Sequence, residues 1–415
     1  MKKKIAVIII YKLNLSDYNT YNFRRLTKLF DVSFFDLSNF FLEKKIVINS
    51  YKRNSVENKI KNYFILKNTK DLRKKLQNFE FILDFSFLFL KNSYKKNKIR
   101  EYLHVINKIK NIQKILILSG TLPNFFSHKL TDKLRFFFTI LYLIFNNEKY
   151  SFLLFYIKKF FFISKKIKKN NIKINNKFRY DYVMISDIFW EKFTDSYFPE
   201  AKKVYVHYKD YEKYLVCKNN NKIILKDYFV FLDEDIFDHP DNFDLYQSFS
   251  NDDKETLKHE YFSSLNKFFC KFEQSTGLKI IIAAHPKTLF TSENNSFYNR
   301  SFIKNKTFDL IKNSKGVFAH SSTSISMAIL LNKPLTLLFS KVMFDLGYAH
   351  RILSFLIETK AQFVDIEKNS IDYLNLVKKN SKNSYDSYIS KYIKYKPKEK
   401  FSMWDKLCKI LNYTK

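Results

Sequence analysis

The sequence predicts an α/β protein with two domains, and three observations support this. The chain has 415 residues, more than one ordinary core holds, since domains usually contain roughly 100–200 residues. Hydrophobic residues make up 46% of it, well above a disordered composition. Short apolar runs rich in β-branched and aromatic residues alternate with lysine-rich, helix-compatible segments, a pattern typical of parallel strands connected by helices.

The first half of the chain, residues 1–178, is predicted to be one α/β domain. Its apolar runs are Ile5–Ile10, Val32–Phe35, Phe81–Phe85 and Ile115–Leu118. The start MKKKIAVIIIYKLN lacks a small-residue cleavage site after its apolar run, so we interpret it as a buried strand rather than a signal peptide. The last run leads into Gly120 and Pro123, as expected for a loop at the carboxyl edge of a sheet.

A basic aromatic insert follows at about residues 130–170. Its longest apolar run, Phe136–Phe145, is about half of the ~20 residues that a membrane-spanning helix needs. Two alternatives stay open: aromatic helices with flanking lysines that anchor the protein to an anionic membrane surface, or helices that pack on the N-terminal sheet. The low-complexity segment KKIKKNNIKINNK is the candidate domain junction.

The second half, residues 179–390, contains a second series of apolar runs, each ending in polar or charged residues. The runs are YDYVMISD, KKVYVHY, YFVFLDED, KIIIAAHP, GVFAHSS and PLTLLFS. Ligands of open α/β sheets bind beyond the carboxyl ends of the strands, so this pattern predicts one cleft lined by several strand ends. Residues 391–415 are predicted to form a C-terminal helix, for which packing back on the N-terminal domain is one arrangement.

The composition argues against several classes of protein. Lys and Arg number 74 against 40 Asp and Glu, a net charge of +34, which in general points to a polyanion or an anionic membrane. Only nine of these residues are Arg, and Lys occurs beside abundant Asn, Ile, Phe and Tyr. This bias is typical of AT-rich genomes, so no nucleic acid is expected as a partner. The widely spaced Cys217, Cys270 and Cys408 argue against a disulfide framework or metal cluster and fit a reducing cytoplasm.

The run KIIIAAHPKT places His285 and Pro286 directly after a predicted strand. Pro286 biases the backbone of His285 away from helical geometry, so the imidazole lies at a rigid strand end. There it can exchange a proton with a substrate or stabilise a departing phosphate. The alternative is a histidine that only hydrogen-bonds loop carbonyls.

The stretch GVFAHSSTSISMAILLNKP passes from an apolar strand through His320 and four hydroxyl residues into a helical pattern. We call these four residues the serine turn: Ser321, Ser322, Thr323 and Ser324. Ordinary capping needs one hydroxyl, whereas several hydroxyls together with helix N-terminal amides make a phosphate site without a glycine-rich loop. We therefore predict that the serine turn binds phosphate and that His320 is a strand-end residue.

The run YFVFLDEDIFDHPD ends in an acidic tip, which consists of Asp233, Glu234 and Asp235, with Asp238 and His239 close behind as candidate substrate-binding residues. Carboxylates at a cleft supply a general base, accept hydrogen bonds from sugar hydroxyls or bind a metal. Like charges this close raise the pKa of at least one of them, which suits a base near neutral pH. A solvated acidic loop is the alternative.

Two further residues are weaker candidates for substrate binding. His207 follows a strand in KKVYVHYKDYEKYL, and Arg351 in GYAHRIL has a planar fork that suits phosphate or carboxylate. The sequence has no GxGxxG, Walker A, GxSxG or zinc-type Cys/His spacing. Nicotinamide dehydrogenases, P-loop ATPases and serine hydrolases therefore lack support.

The order of an acidic motif, a His-Pro motif and a Ser-Ser motif resembles that of bacterial sialyltransferases and polysialyltransferases of the GT-B glycosyltransferase fold, in which two Rossmann-like domains face a cleft. The segments around these motifs are also similar to bacterial surface-carbohydrate proteins encoded among capsule or O-antigen (lipopolysaccharide) genes. The resemblance covers roughly residues 200–340, and the N-terminal half is a compatible α/β domain.

The resemblance implies roles for the site residues. His285 would contact the nucleotide phosphate and help its departure, while Ser321 and Ser322 would bind that phosphate, with Thr323 beside them. A carboxylate of the acidic tip would deprotonate the acceptor hydroxyl. That motif normally continues into Gly, whereas Ile236 follows here, so the choice of base among these carboxylates and one from the N-terminal domain stays open.

The implied donor is a CMP-linked nonulosonic acid or a similar CMP-sugar such as CMP-Kdo, and the implied acceptor is a glycan, free or lipid-linked. CMP departs with a single phosphate, so amides, hydroxyls and one His would stabilise it without a metal, and no cofactor is expected. The expected location is cytoplasmic, with peripheral contact to the inner face of the cytoplasmic membrane if the insert binds lipid. A CDP-glycerol-type polyol-phosphate transferase and a non-catalytic carbohydrate- or polyanion-binding protein remain alternatives.

Overall fold

Two parallel sheets organise the chain. The computed structural model describes residues 2–41, 60–86, 96–119, 179–217, 227–237, 251–286, 288, 296–346, 348–368, 370–378, 382–396 and 399–411. Within these ranges every strand pair is parallel, and the strands divide between a seven-stranded and a six-stranded sheet. Most residues of the strands are buried because helices cover both faces of such a sheet.

The first sheet has the strand order β3-β2-β1-β4-β5-β6-β7. Its strands are β1 (Lys4–Ile9), β2 (Asp31–Asp36), β3 (Tyr63–Ile65), β4 (Phe81–Asp84), β5 (Gln113–Leu118), β6 (Tyr182–Ile185) and β7 (Lys202–Tyr205). The four apolar runs predicted in the first half of the sequence are β1, β2, β4 and β5, and these predictions are confirmed.

The second sheet has the order β10-β9-β8-β11-β12-β13. Its strands are β8 (Tyr228–Leu232), β9 (Lys279–Ala284), β10 (Phe302–Lys304), β11 (Gly316–Ala319), β12 (Leu335–Phe339) and β13 (Gln362–Asp365). Numbered from β8, this is the 3-2-1-4-5-6 order of the Rossmann fold. The predicted α/β fold of two Rossmann-like domains is therefore confirmed.

Helices connect the strands in both domains. In the first domain they are Leu15–Thr20, Phe23–Leu29, Ser38–Phe41, Thr69–Leu76, Lys96–Lys108 and Ile188–Tyr197. After β7 the helices are Lys209–Cys217, Asn251–Thr276, Thr307–Asn313, Ile325–Leu330, Lys341–Asp345, Ala349–Thr359, Lys382–Tyr388 and Met403–Ile410. A 3₁₀ turn, Asn375–Val377, and a π-helical turn, Ile389–Ile393, complete the second domain.

The domain boundary predicted at residue 178 is wrong. The runs YVMI and KKVY were assigned to the second series, but they are β6 and β7, and β6 pairs with β5 in the first sheet. The candidate junction KKIKKNNIKINNK therefore precedes two strands of the first domain. An apolar run has the same composition whichever sheet it joins, so only the pairing reveals the boundary, which lies between β7 and β8.

Two segments join the domains. The helix Lys209–Cys217 begins directly after β7, and its Lys209 amide donates to Ser119 Oγ at the end of β5. The chain later returns, and the helix Met403–Ile410 packs on the first sheet through buried Trp404, whose indole N–H donates to the Tyr21 carbonyl at 2.8 Å. The C-terminal segment thus belongs to the core of the first domain.

Several predicted features lie outside the described residues. They are Gly120, Pro123, the basic aromatic insert at 130–170, Asp238 and His239. In the parts of the chain that the structure describes, no helix is both long enough and apolar enough to cross a membrane. Membrane contact by the insert stays a prediction.

Candidate active site

The candidate site lies at the carboxyl ends of three neighbouring strands of the second sheet. The acidic tip follows β8, His285 follows β9, and the serine turn follows His320 at the end of β11. From β8 the chain proceeds outward to β9 and β10, then returns to β11 on the other side of β8. The gap between β8 and β11 is thus the topological switch point, where open α/β sheets bind their ligands.

Glu234 and Ser321 meet across this switch point. The Ser321 amide donates to Glu234 Oε1 at 2.6 Å, and the Ser321 hydroxyl donates to Oε2 at 3.0 Å. Hydrogen bonds to an ionised acceptor are short and strong. Ser321 is buried, and its two donors hold a carboxylate rather than pointing freely at a substrate, which differs from the role predicted for it.

Burial raises the pKa of Glu234 to about 7, against the two hydrogen bonds from Ser321 and the charge of Arg351, which lower it. Asp233 raises the pKa further. Arg351, in the helix Ala349–Thr359, therefore lies within electrostatic reach of the acidic tip, and its guanidinium is 5.2 Å from the Tyr348 ring. A carboxyl with this pKa exchanges its proton near neutral pH, as a general base must.

Asp233 and Asp235 shape the tip. Asp233 is buried, and its Oδ1 accepts the Asp235 amide at 3.0 Å. Asp235 is also buried and has φ 50, the left-handed conformation that favours glycine and that Asp tolerates better than most residues. The left-handed backbone at this point is thus formed by Asp235 itself. The glycine that the resemblance led us to expect directly after the acidic motif is replaced by Ile236.

His285 is attached to the same tip. Its amide donates to Asp233 Oδ2 over 3.5 Å, and its carbonyl accepts the Thr288 amide at 3.0 Å, which closes a turn around Pro286. The side chains of His285 and Pro286 are both half-buried. The carboxylate of Asp233 therefore fixes the backbone from which the imidazole projects.

The other hydroxyls of the serine turn donate no hydrogen bond to a residue that the structure describes. Ser322 Oγ accepts the Ser324 amide at 3.3 Å and so retains its own proton for donation. Thr323 is exposed and Ser324 half-buried, and their hydroxyls make no hydrogen bond to any residue that the structure describes. Ser324 does not cap the following helix with its side chain, so capping does not account for these residues.

His320 is a structural residue, as the sequence indicated. It is fully buried, its Nδ1–H donates to the Leu338 carbonyl at 2.8 Å, and its Nε2 accepts the Tyr261 hydroxyl at 2.9 Å. Burial lowers the pKa of His320 to about 4. The ring is therefore neutral and positions the end of β11.

The structure places His207 in the core rather than at an open cleft, which does not support its predicted role in substrate binding. Its side chain is fully buried, Nε2 donates to the Glu399 carbonyl at 2.8 Å, and the ring stacks on Phe401 at 4.4 Å. Burial lowers the pKa of His207 to about 4. The residue holds the returning C-terminal segment, which a strand-end position in the sequence could not reveal.

Carboxylates at the ends of strands in the first domain are also structural. Asp84, the last residue of β4, is fully buried and accepts hydrogen bonds from the hydroxyls of Tyr102 at 2.5 Å and Tyr180 at 2.7 Å. Asp36, the last residue of β2, accepts a hydrogen bond from the Tyr63 hydroxyl at 2.7 Å. Glu234 is less buried than either, which favours the acidic tip as the source of a base.

The structure shows one contact near the serine turn that the sequence did not predict, made by the helix that joins the domains. The carboxyl of Asp210, in the helix Lys209–Cys217, is hydrogen-bonded to the hydroxyl of Ser326, two residues beyond the serine turn. Asp210 appeared in the sequence only as one polar residue after a strand. No local pattern indicates that β7 belongs to the first domain and that the helix after it contacts the second domain.

Comparisons with known proteins gave similar folds but no family. No protein-family model and no curated protein matches the chain. A UDP-GlcNAc 2-epimerase from Methanocaldococcus jannaschii is 12% identical with a TM-score of 0.46, over 99% of this chain and 100% of that chain. The wall teichoic acid polymerase TagF is 11% identical with a TM-score of 0.49, and the match covers 99% of this chain and 89% of that chain. A UDP-N-acetylglucosamine 2-epimerase from Rickettsia bellii is 10% identical with a TM-score of 0.40, and the match covers 81% of this chain and 79% of that chain. Since these scores lie below 0.5, the description of the fold depends on the strand order and not on these alignments.

Proposed function

We propose that this protein is a glycosyltransferase of bacterial surface polysaccharide synthesis that uses a nucleotide-sugar donor. The observation that carries the proposal is the contact of Glu234 with Ser321 across the switch point, with the backbone of His285 hydrogen-bonded to the same acidic tip. An ionisable carboxyl, an imidazole and surplus hydroxyls thus surround the place where this fold binds ligands.

The donor phosphate would lie on the serine turn. Ser322, Thr323 and Ser324 supply hydroxyl donors, and His285 supplies a donor from the end of β9, on the far side of β8. Such donors stabilise the charge that develops on the phosphate as the bond to the sugar breaks. A CMP-linked donor, with a nonulosonic acid or Kdo-type sugar, fits because its single phosphate needs few donors. We propose that transfer needs no metal.

The acceptor hydroxyl would lose its proton to Glu234, whose pKa of about 7 suits this step. Arg351 would hold an anionic group of donor or acceptor near the acidic tip. The acceptor is a growing surface glycan, and the basic aromatic insert would bring the protein to lipid-linked acceptors at the inner face of the cytoplasmic membrane.

The test is thermal unfolding with CMP, CDP, UDP and GDP. A ligand that binds the native state stabilises it by about 2.7 kcal/mol at 100 times its Kd, so we expect CMP to raise the Tm most. Stabilisation by UDP or GDP and not by CMP would overturn the donor assignment. Stabilisation by CDP, with polyol phosphate in the product, would indicate a CDP-glycerol-type transferase.

A variant separates catalysis from binding. His285→Ala should keep the fold and lower transfer at least about 100-fold, since proton transfer and charge stabilisation typically contribute that much. His259→Ala is the matched control, because His259 is exposed on the helix Asn251–Thr276. A non-catalytic polyanion-binding protein would instead bind with a steep salt dependence that survives His285→Ala. Unchanged transfer by His285→Ala would refute the proposal.

A further inference from the structure

A side chain of the helix that joins the two domains contacts the segment that follows the serine turn. Asp210 is buried, and its carboxyl contacts the hydroxyl of Ser326 in the helix Ile325–Leu330. The same hydroxyl lies 2.8 Å from the carbonyl oxygen of Thr323, within the serine turn. One hydroxyl of the second domain therefore connects Asp210 to the backbone of the candidate phosphate site.

The number of protons on this contact is informative. A serine hydroxyl has one proton, so it cannot donate both to Asp210 and to the Thr323 carbonyl. Both contacts are hydrogen bonds if Asp210 carries a proton and donates to Ser326, which then donates to Thr323. The surroundings agree, since burial raises the pKa of Asp210 above its usual range, although Lys209 lowers it.

The neighbourhood of Asp210 is otherwise polar and crowded. The charged and titratable side chains that interact with Asp210 electrostatically are Lys209, Lys213, Asp17, Tyr208, Tyr21 and Tyr388. Lys209 Nζ lies 5.4 Å from the centre of the Tyr21 ring. These groups come from both domains, so the position of Asp210 depends on how the domains are joined.

We infer that Asp210 is a positioning residue of the phosphate site, which holds the serine turn from the helix that joins the two domains, through Ser326 and the Thr323 carbonyl. This inference rests on the proposed function, since it assigns a role in nucleotide binding. It adds a contribution from the helix that joins the domains to a site whose other residues all belong to the second domain. Asp210 itself does not touch the substrate.

The experiment measures the Kd of CMP by calorimetry for folded variants. Asp210→Ala and Ser326→Ala each break the connection, and we expect the Kd to rise about tenfold, the value of one hydrogen bond of roughly 1.4 kcal/mol. Asp210→Asn keeps a neutral side chain that donates to Ser326, so its Kd should stay within about threefold of wild type. The double variant should bind no more weakly than Asp210→Ala alone, because both changes remove the same contact.

Glu212→Ala is the matched control. Glu212 is a buried carboxyl on the same helix, but it accepts the Ser402 hydroxyl at 2.7 Å and the Met403 amide, away from the serine turn. It should lower the unfolding temperature and leave the Kd unchanged. A role in stability alone would make the two positions behave alike.

The outcomes distinguish the two proposals. If wild type binds CMP and neither Asp210→Ala nor Ser326→Ala changes the Kd, this inference fails and the proposed function stands. If Asp210→Ala does not fold, Ser326→Ala and Asp210→Asn still decide it. If wild type binds none of CMP, CDP, UDP and GDP, the proposed function fails, and the inference fails with it.

Discussion

Glu234 shows how a single residue depends on its surroundings. Its carboxylate accepts hydrogen bonds from the backbone amide and the hydroxyl of Ser321. Backbone amides and hydroxyls are also the donors that proteins use to bind phosphate oxygens. A phosphate on the serine turn and an ionised Glu234 would therefore repel each other. Protonation of Glu234 near pH 7 would remove that repulsion, so the proposed base and the proposed phosphate site would be coupled through one side chain.

The raised pKa of Glu234 predicts an effect on stability. An acid whose folded pKa is about 7, raised from its ordinary value of 4.5, binds its proton more tightly in the native state, so its contribution to stability falls as pH rises between these values. Glu234→Gln has no such loss. We expect the variant to gain about 2 kcal/mol relative to wild type between pH 5 and pH 8, because a tenfold tighter proton is worth about 1.4 kcal/mol and partial exposure reduces the full effect.

Urea unfolding at both pH values measures this difference. It must be taken between the two proteins, because His207 and His320, whose pKa values burial lowers to about 4, make wild-type stability rise with pH over an overlapping range. A difference that stays constant from pH 5 to pH 8 would contradict the assignment.

At the scale of elements, β11 depends on close contact with β8. Gly316 pairs with Phe229 in the register of these strands, and the Phe229 ring covers the space where a side chain would lie. A Cβ atom on Gly316 would lie 2.3 Å from Phe229 Cζ. The first residue of β11 is therefore restricted to glycine by the packing beneath it, and the strand carries the serine turn at its other end.

Gly316→Ala should lower the free energy of unfolding by about 1–3 kcal/mol, because overpacking a filled core forces its neighbours to move. Gly277→Ala is the control: nothing lies within 4 Å of its added Cβ, but its φ of 72 makes alanine strained, which costs about 1 kcal/mol. Chemical denaturation compares the two. An equal or smaller loss for Gly316→Ala would show that Phe229 moves aside freely.

At the scale of the whole molecule, the chain closes on itself. The helix Met403–Ile410 leaves the second domain and buries Trp404 against Phe23 of the first, with ring centroids 5.8 Å apart. Glu212, on the helix between the domains, holds the start of this helix through Ser402 and Met403. The two segments that connect the domains, the helix Lys209–Cys217 and the returning C-terminal segment, are thus in contact with each other.

Trp404→Ala should destabilise the first domain by about 3–5 kcal/mol, the usual cost of removing a fully buried Trp. Trp404 lies near the C-terminal end of the sequence, whereas the first strand of this domain lies near the N-terminal end. The substitution therefore tests directly whether the C-terminal helix packs on the first domain. Lys409→Ala, on the exposed face of the same helix, should change stability by less than about 0.5 kcal/mol. Similar effects of the two substitutions on the unfolding midpoint would contradict this packing.

The strand tips were predictable because they depend on local order. Where an apolar run changes to polar residues, the buried strand must end. This change located Asp233, His285 and the serine turn at the ends of their strands. The hydrogen bonds between the tips were not predictable. Whether Ser321 holds a phosphate or Glu234 depends on β8 and β11 being neighbours, and 83 residues separate the end of β8 from the start of β11.

By itself, the sequence determined the fold class, most strands and the residue types at their ends, since these follow from hydrophobic pattern and backbone chemistry over a few residues. The tertiary structure alone decided which sheet β6 and β7 join, that His207 holds the C-terminal segment, and that Asp210 contacts Ser326 next to the serine turn. These are contacts between segments far apart in the chain. Their free energy depends on the packing of whole elements, which no local pattern records.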